Sequence, residues 1–417
     1  MTMIKTTIPK EWKITKAFEC IDVRDGTHAT PKPVTDGIPL ITSKNIIKGK
    51  LTLVDFYNVS NEDAREINKR SQVVIGDILI SMIGTVGEAA IIIDKPNFVV
   101  KNVGIFKTGS KEILSSFLVK QFHSKYLQNK IQSLSSGGIQ KFISLGQLRK
   151  LPILLPPLPE QEKIVEVLET WNSYLDKLAE AIELKKKVKK GLMESLLSGK
   201  TQLKGFNDSW HKIKLSEACT INPKSNILPT EFVYIDLESV EKGLLKKERI
   251  IKLENAPSRA QRKLKKRDIL FQMVRPYQKN NLYFTRDGDY VASTGYAQIR
   301  TQNNPEFLYH ILHTETFVNR VLDKCTGSNY PAINSTDLGE IEIKLPIIEE
   351  QTAIAQILTA ADQEIEALEK RKGLIEQQRR FLLNNMITGK LRLPEFIKNK
   401  PSDRFADLNK TIKKSKL

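Results

Sequence analysis

The chain has 417 residues, too many for one ordinary domain and enough for two or three with cores of their own. Its 66 Lys and Arg against 48 Asp and Glu leave a formal charge of +18, which points to a polyanionic partner, either nucleic acid or an anionic membrane surface. No stretch approaches the roughly 20 apolar residues of a membrane span, and the start lacks a signal-peptide pattern, so a soluble, cytoplasmic protein is expected. Cys20, Cys219 and Cys325 are scattered without CxxC spacing and are expected as reduced, mostly buried side chains.

Residues 1–155 mix two periodicities. Ser71 to Met82 and Glu88 to Ile93 carry β-branched runs bounded by glycines and read as strands, whereas Phe117 to Leu134 reads as helix. After the proline-rich stop Leu155-Pro156-Pro157-Leu158-Pro159, apolar residues recur at Ile164, Leu168, Trp171, Leu175, Leu178 and Ile182. Spacings that alternate between three and four form a heptad seam on a long helix that stops near Gly199. A second mixed segment, residues 201–345, is followed by a second long helix with Ile354, Leu358, Ala361, Ile365, Leu368, Ile375 and Leu382, stopping near Gly389. Each helix is expected to run nearly forty residues, roughly 60 Å.

This order is an internal repeat. Pro156, Glu160, Gln161, Gly199, Lys200 and Leu203 recur 190 positions later as Pro346, Glu350, Gln351, Gly389, Lys390 and Leu393. The same shift carries Phe117 to Phe307, His123 to His313, Gly137 to Gly327 and Leu148 to Leu338. Upstream the match loosens, with Asp77-Ile78-Leu79 answering to Asp268-Ile269-Leu270. The expected fold is α+β: globular domains at 1–155 and 201–345 alternate with helices at 156–200 and 346–392, before a basic tail at 393–417. Two equivalent seams in one chain predict an antiparallel intramolecular coiled coil with quasi-twofold symmetry, through Ile164, Leu168, Trp171, Leu175, Leu178, Ile354, Leu358, Ile365 and Leu368. The alternative is two independent helices, each packed on its own domain.

Apparent catalytic motifs fail on inspection. Ser198-Gly199-Lys200-Thr201 resembles the end of a phosphate-binding loop, but Glu194 stands where that loop needs glycine, so a helix cap is expected. His310 and His313 have the spacing of a metal pair, yet the repeat keeps only His123, with Lys120 at the other position. No tetrapeptide suited to a flipped adenine and no glycine-rich fingerprint for a methyl donor is found. The chain is expected to bind without a catalytic or metal site.

Features suited to nucleic acid remain. Arg259, Arg262, Lys263, Lys265, Lys266 and Arg267 are dense enough to neutralise several phosphates. Arg275, Tyr277, Gln278, Asn280 and Asn281 follow, and Arg, Gln and Asn are side chains that read purine edges bidentately. The loops Ser135 to Lys141, with Gly138, Gln140 and Lys141, and Thr326 to Pro331, with Ser328, Asn329 and Tyr330, occupy equivalent positions. The run Lys185 to Lys190 is either a solvated helix face or a set of phosphate contacts.

The paired stretches Leu155-Pro-Pro-Leu-Pro-Glu-Gln161 and Leu345-Pro-Ile-Ile-Glu-Glu-Gln351, opening helices that end in Leu197-Ser-Gly-Lys200 and Ile387-Thr-Gly-Lys390, resemble the specificity subunits of type I restriction-modification systems. Arg24-Asp-Gly-Thr-His-Ala-Thr-Pro31 with Gly37-Ile-Pro-Leu-Ile-Thr-Ser-Lys-Asn45 looks like one class of their target-recognition domains, and adds Thr27, His28, Lys44 and Asn45 as candidate DNA contacts. The resemblance implies two recognition domains, each reading half of a bipartite asymmetric site in double-stranded DNA. It also implies two modification subunits that dock on the helices, and two restriction subunits where present. S-adenosylmethionine, ATP and Mg2+ would serve those partners, with no cofactor in this chain. The second domain has Thr220-Ile-Asn-Pro-Lys-Ser225 in place of Asp-Gly-Thr-His, so the halves should read different sequences. The competing function is a helical scaffold that bridges proteins without sequence-specific DNA binding.

Overall fold

The computed structural model describes residues 8–137, 141–224, 227–327 and 329–397 and divides into two compact units. One comprises residues 1–177 and 372–417, the other residues 178–371. Each unit therefore holds one globular domain, the beginning of one long helix and the end of the other. Among the described residues no helix is long and apolar enough to cross a membrane.

In the first unit an antiparallel sheet runs Val23–Asp25, Val103–Phe106, Ile78–Ser81, Ala89–Ile91. Ile78 and Ile80 face the main core, while Leu79 faces a second cluster with Ile41, Val100 and Ile105, as the two-residue period of a strand requires. The run expected as strand from Ser71 is strand only over Ile78–Ser81, because helix Asn61–Ser71 takes its start. Between them the buried Asp77 carboxylate closes a turn, accepting the Val74 and Thr108 amides at 2.8 Å each. A three-stranded sheet of Tyr57–Val59, Ile38–Ile41 and Val99–Val100 lies beside the helix. The helix expected from Phe117 to Leu134 is two, Ser115–His123 and Lys125–Leu134, broken at Ser124, whose hydroxyl donates to the Gln121 carbonyl at 2.6 Å. Lys13–Lys16 pairs with Pro152–Leu155 and ties the ends of the domain together.

The second unit repeats the plan. Its sheets are Thr220–Ile221, Tyr296–Arg300, Ile269–Gln272, Leu282–Tyr283, and Arg249–Lys252, Glu231–Ile235, Tyr290–Ser293, Ala260–Lys263. His211–Lys214 pairs with Glu342–Leu345 as the closing ribbon. The main difference is Ala260–Lys263, which pairs with Tyr290–Ser293 where the first domain packs a helix against Val99–Val100.

The long helices span Leu158–Leu196 and Ile348–Met386, 39 residues each. Their first turns explain the repeated Glu-Gln. Gln161 donates to the carbonyls of Pro156 and Glu112 at 2.8 Å and accepts the Leu114 amide at 2.9 Å; Gln351 donates to the Pro346 carbonyl at 2.9 Å and to the side-chain Oδ1 of Asn303 at 3.2 Å, and accepts the Asn304 amide at 3.0 Å. Trp12 donates to Glu160 at 2.9 Å and Trp210 to Glu350 at 3.2 Å. At the other end Gly199 and Gly389 have φ of 67° and 69°, the left-handed cap that stops a helix at little cost only with glycine.

The helices run antiparallel within each unit. In the first, Ile164 and Leu168 share a core with Leu383 and Met386, and further along Arg379 donates to Asn172 at 2.5 Å. In the second, Leu196 shares a core with Ile354 and Leu358, and Lys189 and Lys185 pair with Asp362 and Glu364 at 2.5 and 2.7 Å. Numbers rise on one helix as they fall on the other. The seam residues Ile164, Leu168, Ile354 and Leu358 also pack into the domain cores, so helix pairing and domain docking are one event. Leu178 and Ile365 are buried, and Trp171, Leu175 and Leu368 are half-buried. The lysine run is a solvated helix face, with Lys185, Lys186, Lys187 and Lys190 exposed, and Lys185, Lys186 and Lys189 also form ion pairs with Glu364, Glu369 and Asp362 of the opposite helix.

Candidate nucleic-acid interface

Each domain builds the same ladder at one end of its central strand. After Ile78–Ser81 and Ile269–Gln272 the chain enters loops at 82–88 and 273–281. The loops that follow the helix pairs fold back on themselves, Ser136 bridging Phe142 and Thr326 bridging Ala332, and a third rung comes from Ile83 and Val274. The Ile143 amide donates to Met82 O at 2.9 Å, and that of Ile333 to Met273 O at 3.0 Å. One step on, the Gly84 amide donates to Lys141 O at 3.0 Å and the Arg275 amide to Pro331 O at 2.7 Å. Both are left-handed, φ 79° at Gly84 and 54° at Arg275. One scaffold thus presents different side chains.

In the second domain Arg275 is held over the Tyr330 ring, 4.3 Å from guanidinium carbon to centroid. Tyr277, Gln278, Asn329 and Tyr330 are exposed around it, with Asn280 half-buried. Gln272 organises the loop, donating to Val274 O at 2.7 Å and to Gln278 Oε1 at 2.9 Å. Asn281 is a correction: it is buried, its amide oxygen accepting the Gln272 amide at 2.8 Å, which leaves it a structural brace unable to reach a base. Lys265 and Arg267 are exposed but precede the central strand, whereas the loop follows it. Four strand residues at about 3.3 Å each separate the two ends, so these cations lie at the opposite end of the strand from the loop. Lys263 and Lys266 of that run pair with Asp289 and Asp287.

In the first domain His28 lies between Asp25 at 2.9 Å and Asn102 at 2.7 Å, its ring exposed. The Thr27 hydroxyl accepts the Ala29 amide at 3.1 Å. Ser43 links this group to the ladder, donating to Asn102 O at 3.1 Å and accepting the Met82 amide at 3.1 Å. Lys44 is exposed, 3.8 Å from Asp55, and Lys141 is exposed. Asn45 is a second correction: fully buried, it donates to the carbonyls of Thr52 and Val54 at 3.1 and 2.7 Å and accepts the Thr42 amide at 2.9 Å. Gly138, Gln140 and Ser328 lie outside the described residues. Sequence reasoning missed Phe142, an exposed aromatic just beyond the glycine loop, and two Lys-Gly turns described below.

Residues 10–190 and 207–377 match the family model for the type I restriction modification DNA specificity domain. The chain belongs to that family. It is 26% identical over 426 residues to a putative type I restriction enzyme specificity subunit of Methanocaldococcus jannaschii, covering 93% of this chain and 95% of that one. A second specificity subunit from the same organism is 27% identical, over 70% of this chain and 77% of that one. The fold is that of the type I restriction-modification S subunit of M. genitalium, with a TM-score of 0.55 at 17% identity over 93% and 98% of the two chains. The HsdS subunit from Thermoanaerobacter tengcongensis gives 0.51 at 18% identity over 94% and 100%. The chain is a DNA specificity subunit with two recognition domains, and a protein-bridging scaffold without DNA recognition is not favoured.

Proposed function

We propose that the two domains read the two halves of one bipartite, asymmetric sequence in double-stranded DNA, each through the ladder at the end of its central strand. The observation that carries this reading is the pair Gly84 and Arg275: the same backbone hydrogen bond and the same left-handed turn are built twice with different chemistry. Arg275, Tyr277, Gln278, Asn280, Asn329 and Tyr330 would read or flank bases in one half-site. Thr27, His28, Lys44 and Lys141 would do so in the other. The charge of +18 supplies the attraction to phosphate.

The paired helices would dock two modification subunits, which bring S-adenosylmethionine and the chemistry at adenine. Where restriction subunits are present, two of them would use ATP and Mg2+ to translocate and cut. The chain itself would contribute recognition and no catalytic group, in the cytoplasm. Sequencing of methylated adenines in cells with and without this chain tests the reading. One bipartite motif should disappear with the chain; a methylation pattern indifferent to it would overturn the assignment.

A further inference from the structure

Each domain carries a small hairpin with a two-residue turn: Ile46–Ile47 with Lys50–Leu51 around Lys48 and Gly49, and Val240–Glu241 with Leu244–Leu245 around Lys242 and Gly243. The turns superimpose in backbone angle, with φ of 50° at both lysines and 78° at both glycines. Two positive φ values make a type I′ turn, whose first position favours Asn, Asp or Gly. Lysine is strained there, and this chain puts lysine there twice.

Both turns are tied to the loops of the proposed interface. The Gly49 amide donates to Glu88 Oε2 at 3.3 Å, and the Lys242 amide to Asn280 Oδ1 at 3.0 Å. In the first domain Lys44, Lys48, Gly84 and Asn102 line one cavity of about 770 Å³, with Ile46 and Ile83 among its apolar lining. Lys48 and Lys242 are exposed, and among the described residues neither enters an ion pair. A tethered turn that holds an uncommitted ammonium beside a reading loop is suited to an anion at a fixed distance from the bases.

We propose that Lys48 and Lys242 each hold a phosphate of the DNA backbone, fixing the register in which the neighbouring loop meets its half-site. The assignment rests on the reading of the loops given above. A loop that reads base edges is informative only when the duplex is set in one register, and backbone contacts set it. The hairpins do this symmetrically because the fold builds them twice.

The test uses the full chain assembled with its modification subunits, carrying Lys48→Gly, Lys242→Gly or both. Glycine is at home in the left-handed position, so the charge is removed without strain, and thermal unfolding should show a fold at least as stable. The slope of log affinity against log salt should become shallower by about 0.9 for each substitution. Affinity should fall alike for cognate and unrelated duplexes, the methylated sequence should not change, and Lys48→Arg should keep the full slope. An unchanged slope in all three glycine variants would overturn the proposal, and so would a loss confined to the cognate duplex, which would make the lysines base readers. A flat salt response of the unsubstituted assembly would instead remove the DNA-binding reading itself.

Discussion

The Arg275 guanidinium stacks 4.3 Å from the centre of the Tyr330 ring, joining the loop after the central strand of the second domain to the loop after its helix pair. Stacking leaves the in-plane N–H edge of the guanidinium free, the edge that pairs with guanine O6 and N7. Arg275→Ala should cost about 1–3 kcal/mol at one base position of the half-site and little at others. Tyr330→Leu should give part of that loss, because the guanidinium remains but is no longer held. Arg275→Gly should lose the same preference while relieving left-handed strain of about 1 kcal/mol, so thermal stability rises as specificity falls. Binding to duplexes substituted one position at a time checks all three. A uniform loss over every duplex would make Arg275 a phosphate contact.

Replacing residues 1–155 by the equivalent domain of another family member should change one half-site and leave the other intact. Each domain closes on itself through its own ribbon, Lys13–Lys16 with Pro152–Leu155 and His211–Lys214 with Glu342–Leu345, and each has its own core clusters. Mapping methylated adenines for the exchanged chain decides it. A change in both half-sites would show that the domains do not read independently.

The repeat, the long helices and their antiparallel sense were legible in the sequence because Glu160, Gln161 and Gly199 recur at one fixed shift and because a heptad seam has few structural interpretations. The domains were less legible. Lys48 recurs as Lys242 at a shift of 194 instead of 190, since a helix in one domain is replaced by a strand and loops in the other, and the hairpins escaped notice. Asn45 and Asn281 were misassigned because the amide that reads adenine is also a good partner for backbone groups, and only burial separates the two uses. The basic run ending at Arg267 lies at the other end of the strand from the loop, a separation that charge density alone does not disclose.

The two helix starts differ in one partner, and this yields a stability prediction. Arg392 donates to Glu160 through Nε and Nη2, both at 2.8 Å, while Gln202 stands at the equivalent place beyond the first helix. Among the described residues Glu350 accordingly has only Trp210, and its buried Oε1 has no partner. Arg392→Ala should destabilise the first unit by about 3 kcal/mol, since it leaves a buried carboxylate uncompensated. Gln202→Arg should stabilise the second unit by supplying the missing donor. Hydrogen exchange resolved by segment measures both, and no change in the first unit with Arg392→Ala would show that Trp12 alone suffices for Glu160.

The second domain should also be the more acid-sensitive of the two. His310 is pushed down to about 3 and His313 to about 4, in both cases chiefly because burial removes water from the imidazolium, with Lys189 opposing the charge as well. Lys279 adds to the effect at His313, and Asp362 opposes it. His313 Nδ1 donates to the Tyr309 carbonyl at 2.7 Å, which leaves Nε2 as acceptor facing the Asn281 amide nitrogen at 3.4 Å. A proton there would set two donors against each other beneath the loop that carries Asn280. Unfolded, both rings titrate near 6.5. The native domain therefore keeps them neutral while the unfolded chain takes up protons, so stability is full above about 6.5 and falls as the pH drops towards 4. The first domain has one such ring, His123, also lowered by burial, and a Lys120–Glu169 ion pair where the second domain has His310 facing Thr359. Segment-resolved hydrogen exchange between pH 7 and 4.5 should show the second domain losing protection first, and His310→Asn with His313→Gln should flatten its pH dependence. Equal loss of protection in the two domains would mean that the buried histidines do not govern acid unfolding.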